Sequence, residues 1–474
     1  MTLSALASIS NLTLAWRRVT TGGNYPYKKY FRHLYYSYEL ALDENLNDLR
    51  TKILALSWQP QSPERVYVPK PSGLQRPLTL LHVEDQIVLQ ALANVIARKV
   101  EEKRKPFVYQ SVFSNILQSR RNIFFVKNWH RTYWAFCSRI EQNYKAGLLW
   151  VADFDLAAFY DTISHDLLLR TAFPRLKKSS EVDWICRCLS QWTSQRPRDS
   201  KGHGLPQGPI ASDFLAEVFL LPIDQAMRGI DGYIRYVDDV RLFGATETDV
   251  RRAVLKLEIE CRERGLIPQV GKFAIHKVRS LEEARGMLPS LGEPKESNSP
   301  RIAPTTAERL LRPAIGGRPL RVLDKTRLRY VLFRANRSSR IRRLVCLLVS
   351  RAPEHVDAFA AFLSQYEYHR TIRDCCLATL ATTPYEYVAG EMWHLLAKFY
   401  ATTGAFTAAV RRELLSKAIA TLKDRHAGLA VKWGAAHFLS EAENTDRRRY
   451  TRFLRYCGFR KLWPVSSGNS GQLM

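Results

Sequence analysis

The sequence predicts a mixed α+β core followed by an all-α region, on three observations. Two short β-prone runs flank adjacent carboxylates within residues 233–244. An apolar run beginning at Leu148 ends on the acids Asp153 and Asp155. Beyond about residue 340, apolar positions recur at spacings of three and four, as in Ile341, Leu344, Val345 and Leu348, then Val356, Phe359 and Leu363. At 46% hydrophobic residues over 474 positions the chain can bury more than one core, so two or three domains are expected.

In Tyr233-Ile-Arg-Tyr-Val-Asp-Asp-Val-Arg-Leu-Phe-Gly244 the apolar and aromatic runs read as two strands joined by a tight turn, with Asp238 and Asp239 at its tip. Adjacent like charges raise each other's pKa, so a stable ionised pair points to a bound cation. Magnesium, which takes oxygen ligands and bridges to phosphate, is the expected one. Residues 148–165 give a second carboxylate-tipped strand, leading into an aromatic turn and a helix. If the two tips are neighbours, Asp155 and Asp238 can clamp two Mg²⁺ ions about 3.5–4 Å apart for in-line displacement at phosphorus. One would activate a 3′-hydroxyl and the other hold the departing pyrophosphate. Either segment alone would read as ordinary strand-end acids. Between them, Gly204-Leu-Pro-Gln-Gly-Pro-Ile-Ala-Ser-Asp213 is a glycine-bounded turn entering an apolar helix near Pro209, with Ser212 or Asp213 in its first turn. Free N–H groups there favour an anion or a nucleotide, and Gln207 on the turn would face the incoming base and sugar.

Carboxylate strand, Leu-Pro-Gln-Gly turn and Tyr-Val-Asp-Asp hairpin, in that order, resemble motifs A, B and C of reverse transcriptases. The likeness extends upstream to Val66-Tyr-Val-Pro-Lys-Pro-Ser-Gly-Leu-Gln-Arg-Pro-Leu78, similar to the fingers signature of intron-type and retron-type enzymes, and to the helix of residues 83–90. Downstream, Gly265-Leu-Ile-Pro-Gln-Val-Gly-Lys272 resembles motif D, so the resemblance covers about residues 60 to 280. It implies a right-hand polymerase palm and fingers, with metal held by Asp155, the Leu156 backbone carbonyl, Asp238 and Asp239. Asp153 is then a neighbour, because the family places its metal acid six residues before a second Asp, here Asp161. Tyr160 falls on the sugar-gate position, where a bulky ring disfavours a ribose 2′-hydroxyl. Lys70 and Arg76 match the cations that hold the triphosphate, and Lys272 the lysine that serves as general acid for pyrophosphate. Gln269 and Phe273 depart from the usual Asn and Thr around that lysine. Residues 265–273 are not a P-loop: five residues separate the glycines where four are required, and no Ser or Thr follows the lysine.

Lys and Arg number 72 against 45 Asp and Glu, a formal charge of +27, so polyanions should bind in a salt-dependent and largely sequence-independent way. Cations recur with aromatics at Trp16-Arg-Arg18, across residues 25–38 and across residues 447–456, where rings would stack on unpaired bases. No apolar run approaches the ~18 residues of a membrane span, and the N-terminus carries no signal pattern, so the cytoplasm is expected. The eight cysteines show no paired metal spacing, and neither zinc nor disulfides are expected.

The expected organisation is an N-terminal helical, basic segment (1–60), fingers and palm (61–285), a Pro/Ser/Gly-rich linker (286–310) and a C-terminal α-helical domain (311–474) resembling helical repeats, with a compact bundle as the other reading. No maturase thumb or nuclease module is recognisable, and the long helical extension resembles bacterial abortive-infection and defence-associated reverse transcriptases. The resemblance implies an RNA-directed DNA polymerase in antiphage defence that uses dNTPs and two Mg²⁺ ions, Mn²⁺ being the alternative. It implies an RNA template, for which a dedicated non-coding RNA is one candidate, a DNA product and no membrane partner. Homo-oligomerisation, protein-primed template-independent synthesis and a non-defence retron- or intron-like role stay open. An RNA-dependent RNA polymerase and a catalytically idle RNA-binding scaffold are the competing classes.

Overall fold

The computed structural model describes residues 3–21, 28–193, 202–286, 301–400 and 406–442. The basic cluster at 447–456, Cys457 and most of the expected linker lie outside the described residues. The chain forms two compact units: Met1–Pro63 with Thr79–Glu296, and Glu64–Leu78 with Ser297–Met474.

Eight strands matter here, in chain order β1 (Glu64–Pro69), β2 (Gln75–Leu80), β3 (Trp150–Phe154), β4 (Leu156–Ala157), β5 (Tyr233–Tyr236), β6 (Asp239–Gly244), β7 (Ile267–Pro268) and β8 (Ala274–Lys277). In the first unit β5, β6, β3 and β8 make an antiparallel sheet in that order, and β4 pairs with β7 beside it. Alternation decides what each face meets. Val151, Ile234 and Phe243 point to one face and bury against Phe136 and Ile140 of the Trp129–Lys145 helix. On the other face Arg235 reaches the Ile210–Ala226 helix, which is buried nearly all round and carries the buried acids Glu217 and Asp224. The latter helix packs on Val83–Arg104 and His165–Ala172.

The N-terminal Ile9–Thr20 helix lies on Val83–Arg104 through the face bearing Leu12, Ala15, Trp16 and Val19. This corrects the reading of Trp16 and Arg18 as part of a nucleic-acid track. Both are buried, and the Arg18 guanidinium is used up internally, donating to Asn94 Oδ1 at 2.7 Å, the Asn122 carbonyl at 2.9 Å and the Ser119 carbonyl at 3.0 Å.

In the second unit the 64–78 segment is grouped with the C-terminal helices, not with the palm segment in which the sequence reading had placed it. The reason is packing: β1 lies on the helices Glu386–Tyr400 and Leu429–Ala442, and the Tyr385 hydroxyl donates to the Gly73 carbonyl at 3.1 Å. Glu386–Tyr400 also packs on Val356–Leu363 and Arg370–Thr382. It crosses Leu429–Ala442 so closely that a Cβ on Gly390 would lie 2.5 Å from the Ala430 oxygen. The expected linker ends sooner than read: Pro304 opens the helix Pro304–Leu311, because a proline costs nothing at a first helical position, whose N–H has no partner anyway. Among the described residues no helix is long and apolar enough to cross a membrane.

Candidate active site

Register brings the two acidic strand ends together. β3 and β6 pair with Phe154 opposite Val240, so one further step sets Asp155 opposite Asp239. β5 and β6 pair through Tyr236 and Asp239, leaving Val237-Asp238 as a two-residue turn. Asp238 thus stands at the tip of the hairpin beside Asp155, and all three aspartates are half-buried.

The turn is strained. Val237 sits at φ +59°, a left-handed conformation that costs a β-branched residue about 1–3 kcal/mol and persists only where its surroundings over-determine it. Here they do. The Val237 N–H donates to Ser114 Oγ at 2.7 Å, and its carbonyl accepts from Arg235 Nη1 at 3.2 Å. Arg235, almost fully buried, forks onto Asp224 with two bonds of 2.7 Å and donates to Glu217 Oε2 at 2.7 Å. Tyr233 donates to Asp224 at 2.8 Å, the Ser114 hydroxyl to Glu217, and Arg104 Nη2 lies 3.7 Å from Glu217. Two buried cations thus meet two buried anions. Burial disfavours the Arg235 charge, but Asp224 and Glu217 outweigh it and keep the guanidinium protonated. Sequence reasoning missed this network, although two acids seven residues apart on one face of an apolar helix signal a need for buried cations.

The Gly204–Gly208 turn is docked on the segment after β4. Gly204 and Gly208 take φ of +101° and +126°, open to glycine alone at low cost. Gly204 N–H donates to the Ile163 carbonyl at 2.7 Å and Leu205 N–H to the Tyr160 carbonyl at 2.8 Å. His165, unremarked in the sequence, adds a side-chain clamp: its Nε2 lies 2.7 Å from the Gly204 carbonyl and its Nδ1 3.4 Å from Ser190 Oγ. Burial lowers the imidazole to about 4, so it is neutral near pH 7 with its proton on Nε2. The Gln207 carbonyl is held by Thr79 N–H at 2.7 Å. The Tyr160 hydroxyl donates to Asp213 Oδ1 at 2.7 Å. Burial pushes the phenol well above its ordinary range, with Asp213 and then Asp238 adding, which places the hairpin tip within electrostatic reach of Tyr160.

The structure therefore gathers Asp155, Asp238, Asp239, Tyr160 and the Gln207 turn in one region of the first unit. Leu156 joins them through its backbone. Gln269 N–H donates to the Asp155 carbonyl at 2.8 Å and Leu156 pairs with Pro268, so strand alternation turns the Leu156 carbonyl away from β7. Asp153 sits across the ladder from Arg241, whose Nε is 3.3 Å from it and whose Nη1 donates to the Ala284 carbonyl at 2.7 Å. Lys70 and Arg76 belong to the hairpin of the second unit. Lys272 ends the short Val270–Lys272 turn, and its side chain lies outside the described residues. Among the described residues no three His, Cys, Asp or Glu side chains form a ready metal cage. Magnesium does not need one, since it binds through one or two carboxylates, keeps several waters and takes its remaining ligands from substrate phosphates.

An acidic hairpin beside an acidic strand end, with a glycine-bounded turn docked next to them, is the layout that the resemblance of these segments to a polymerase palm leads one to expect. Residues 68–286 match the family described as reverse transcriptase (RNA-dependent DNA polymerase), and this segment is a reverse-transcriptase domain. Among curated proteins the chain is similar to protein YkfC of Escherichia coli, at 23% identity over 191 residues, which are 40% of this chain and 46% of that protein. It is also similar to an uncharacterized 91 kDa protein in the cob intron of Schizosaccharomyces pombe, at 24% identity over 173 residues, 36% of this chain and 19% of that one. The chain thus spans less than half the length of these relatives. Among solved structures, apo telomerase from Candida tropicalis aligns at a TM-score of 0.34 and 10% identity, over 86% of this chain and 68% of that one.

Proposed function

We propose that the protein is an RNA-directed DNA polymerase that extends a 3′-hydroxyl end with dNTPs. The observation that supports this most is the register that sets Asp155 beside the Val237-Asp238 turn. Asp155, Asp238, Asp239 and the Leu156 carbonyl would hold two divalent ions, which supply activation of the attacking hydroxyl and neutralisation of the leaving pyrophosphate. The donor set, all hard oxygen, fits magnesium, with manganese as a substitute. Tyr160 would exclude a 2′-hydroxyl and Gln207 would face the nucleotide, while Lys70, Arg76 and Lys272 would receive the triphosphate.

The partner is RNA, the product DNA and the setting cytoplasmic. Charge supports a nucleic-acid partner: residues 301–351 hold fourteen Lys or Arg against two acids, Glu308 and Asp324, most of those cations being exposed. Tyr330 and Phe333 lie exposed among them, and the Arg334 guanidinium sits 4.4 Å above the Tyr330 ring. The antiphage role rests on the likeness of residues 209–213 and 235–242, and of the helical extension, to defence-associated enzymes. The test is incorporation of labelled dNTP on an RNA template with a DNA primer. Wild type should extend the primer; Asp238→Ala should not, yet should hold the RNA as tightly. Loss of RNA binding in that variant, or synthesis by it, would remove the assignment. Phage plating on cells carrying either version tests the defence role.

A further inference from the structure

We propose that Asp213 is a specificity-determining residue, acting through Tyr160 to fix the ring that separates deoxynucleotides from ribonucleotides. The inference deepens the polymerase reading and rests on it. Tyr160 follows the left-handed Ala158 in the short helix Phe159–Thr162, an element too short to define the direction of a large side chain by itself. Two contacts supply that direction. The Tyr160 carbonyl accepts from Leu205 N–H at 2.8 Å, which ties its backbone to the turn carrying Gln207. Its hydroxyl donates to Asp213 Oδ1 at 2.7 Å, in the first turn of the Ile210–Ala226 helix.

A bond from a hydroxyl to a carboxylate is charge-assisted and stronger than one between neutral groups. Its acceptor sits on one of the most immobile elements of the unit, with Phe214 and Leu215 buried directly behind it. The residue is consequently held at its backbone and at its hydroxyl by one neighbour, the segment that would also position the incoming sugar and base. A phenol free to swing would yield to a 2′-hydroxyl by rotating aside. One latched at its far end cannot do so without breaking the bond, so the cost of admitting a ribonucleotide includes that bond. Asp213 touches no reacting atom in this account and is a positioning residue.

Single-nucleotide extension of a poly(rA)·oligo(dT) template-primer, run with dTTP and with UTP, gives kcat/KM for each. For wild type, dTTP should be preferred strongly. Asp213→Ala should lower that preference by about tenfold, the change in ratio that a differential loss near 1.4 kcal/mol produces. Asp213→Asn keeps an acceptor oxygen and should restore most of it. Tyr160→Phe keeps the ring and removes the donor, so it should reproduce the Asp213→Ala shift, and the double variant should shift no further. An unmoved dTTP/UTP ratio in Asp213→Ala, or in Tyr160→Phe should Asp213→Ala not fold, overturns the proposal. So do two single shifts that multiply in the double variant. A wild type that extends with dTTP and UTP alike overturns it while leaving the polymerase reading intact, and one that extends with neither takes both down.

Discussion

Replacing Arg235 by Met tests how the Val237-Asp238 turn is supported. The change removes the two bonds to Asp224, the bond to Glu217 and the bond to the Val237 carbonyl, while filling a comparable volume. Asp224 keeps only the Tyr233 hydroxyl of its described partners, and Glu217 keeps Ser114 and the more distant Arg104. A buried carboxylate stripped of its cation costs about 3–5 kcal/mol. For a unit of this size that corresponds to a drop in Tm of about 5–9 °C. Differential scanning calorimetry of the full chain reads this directly. The triple variant Arg235→Met, Glu217→Gln, Asp224→Asn removes the uncompensated charges and should recover most of the loss. If Arg235→Met melts within about 1 °C of wild type, or the triple variant melts lower still, then the charge network is not what holds the Val237 turn.

Asp85, fully buried, accepts from Trp192 Nε1 at 2.6 Å and from Gln61 N–H at 3.1 Å, and its other oxygen has no hydrogen-bond partner among the described residues. Burial raises it to about 7, so the folded state binds its proton more tightly than the unfolded chain, and its contribution to stability is lost as pH rises from about 4 to about 7. His165 slopes the opposite way below its ordinary pKa, so the readout is the difference between Asp85→Asn and wild type in urea midpoints, which should grow in favour of the variant up to pH 8. A pH-independent difference would refute this. Gly390→Ala drives a methyl group against the Ala430 carbonyl and should destabilise the second unit by about 1–3 kcal/mol, read as lost hydrogen-exchange protection in the Glu386–Tyr400 helix. Neutralising the exposed Arg312 and Arg343 together should flatten the slope of log affinity for single-stranded RNA against log salt by about 1.4 if each meets a phosphate; an unchanged slope places the RNA elsewhere.

What could be read in the sequence divides along the range of the forces involved. The β5–β6 hairpin was legible because alternating apolar residues and a two-residue gap are local signals. The entry of the Ile210–Ala226 helix was legible because proline and glycine constrain their own backbone. The supports of the site were not. That Arg235 forks onto Asp224 and that His165 clamps Gly204 depend on which elements pack together, and an isolated Arg or His in the chain looks the same whether solvated or interior. Trp16 and Arg18 show this in reverse: a basic-aromatic cluster read as a surface proved to be core, because Arg18 found three groups of acceptors there. Grouping of the 64–78 hairpin with the C-terminal helices lay beyond any local pattern, since Tyr385 and Gly73 are separated by more than three hundred residues.

Asp155 and the Asp238-Asp239 turn are proposed to share bound divalent ions. Ferrous iron in place of magnesium, with ascorbate and peroxide, cuts the chain wherever it is bound, and mass spectrometry locates the cuts. Cleavage is expected beside residue 155 and beside residues 238–239 together, suppressed by excess magnesium and lost at both places in Asp155→Ala. Cleavage at one place alone, or at both in the variant, would contradict it.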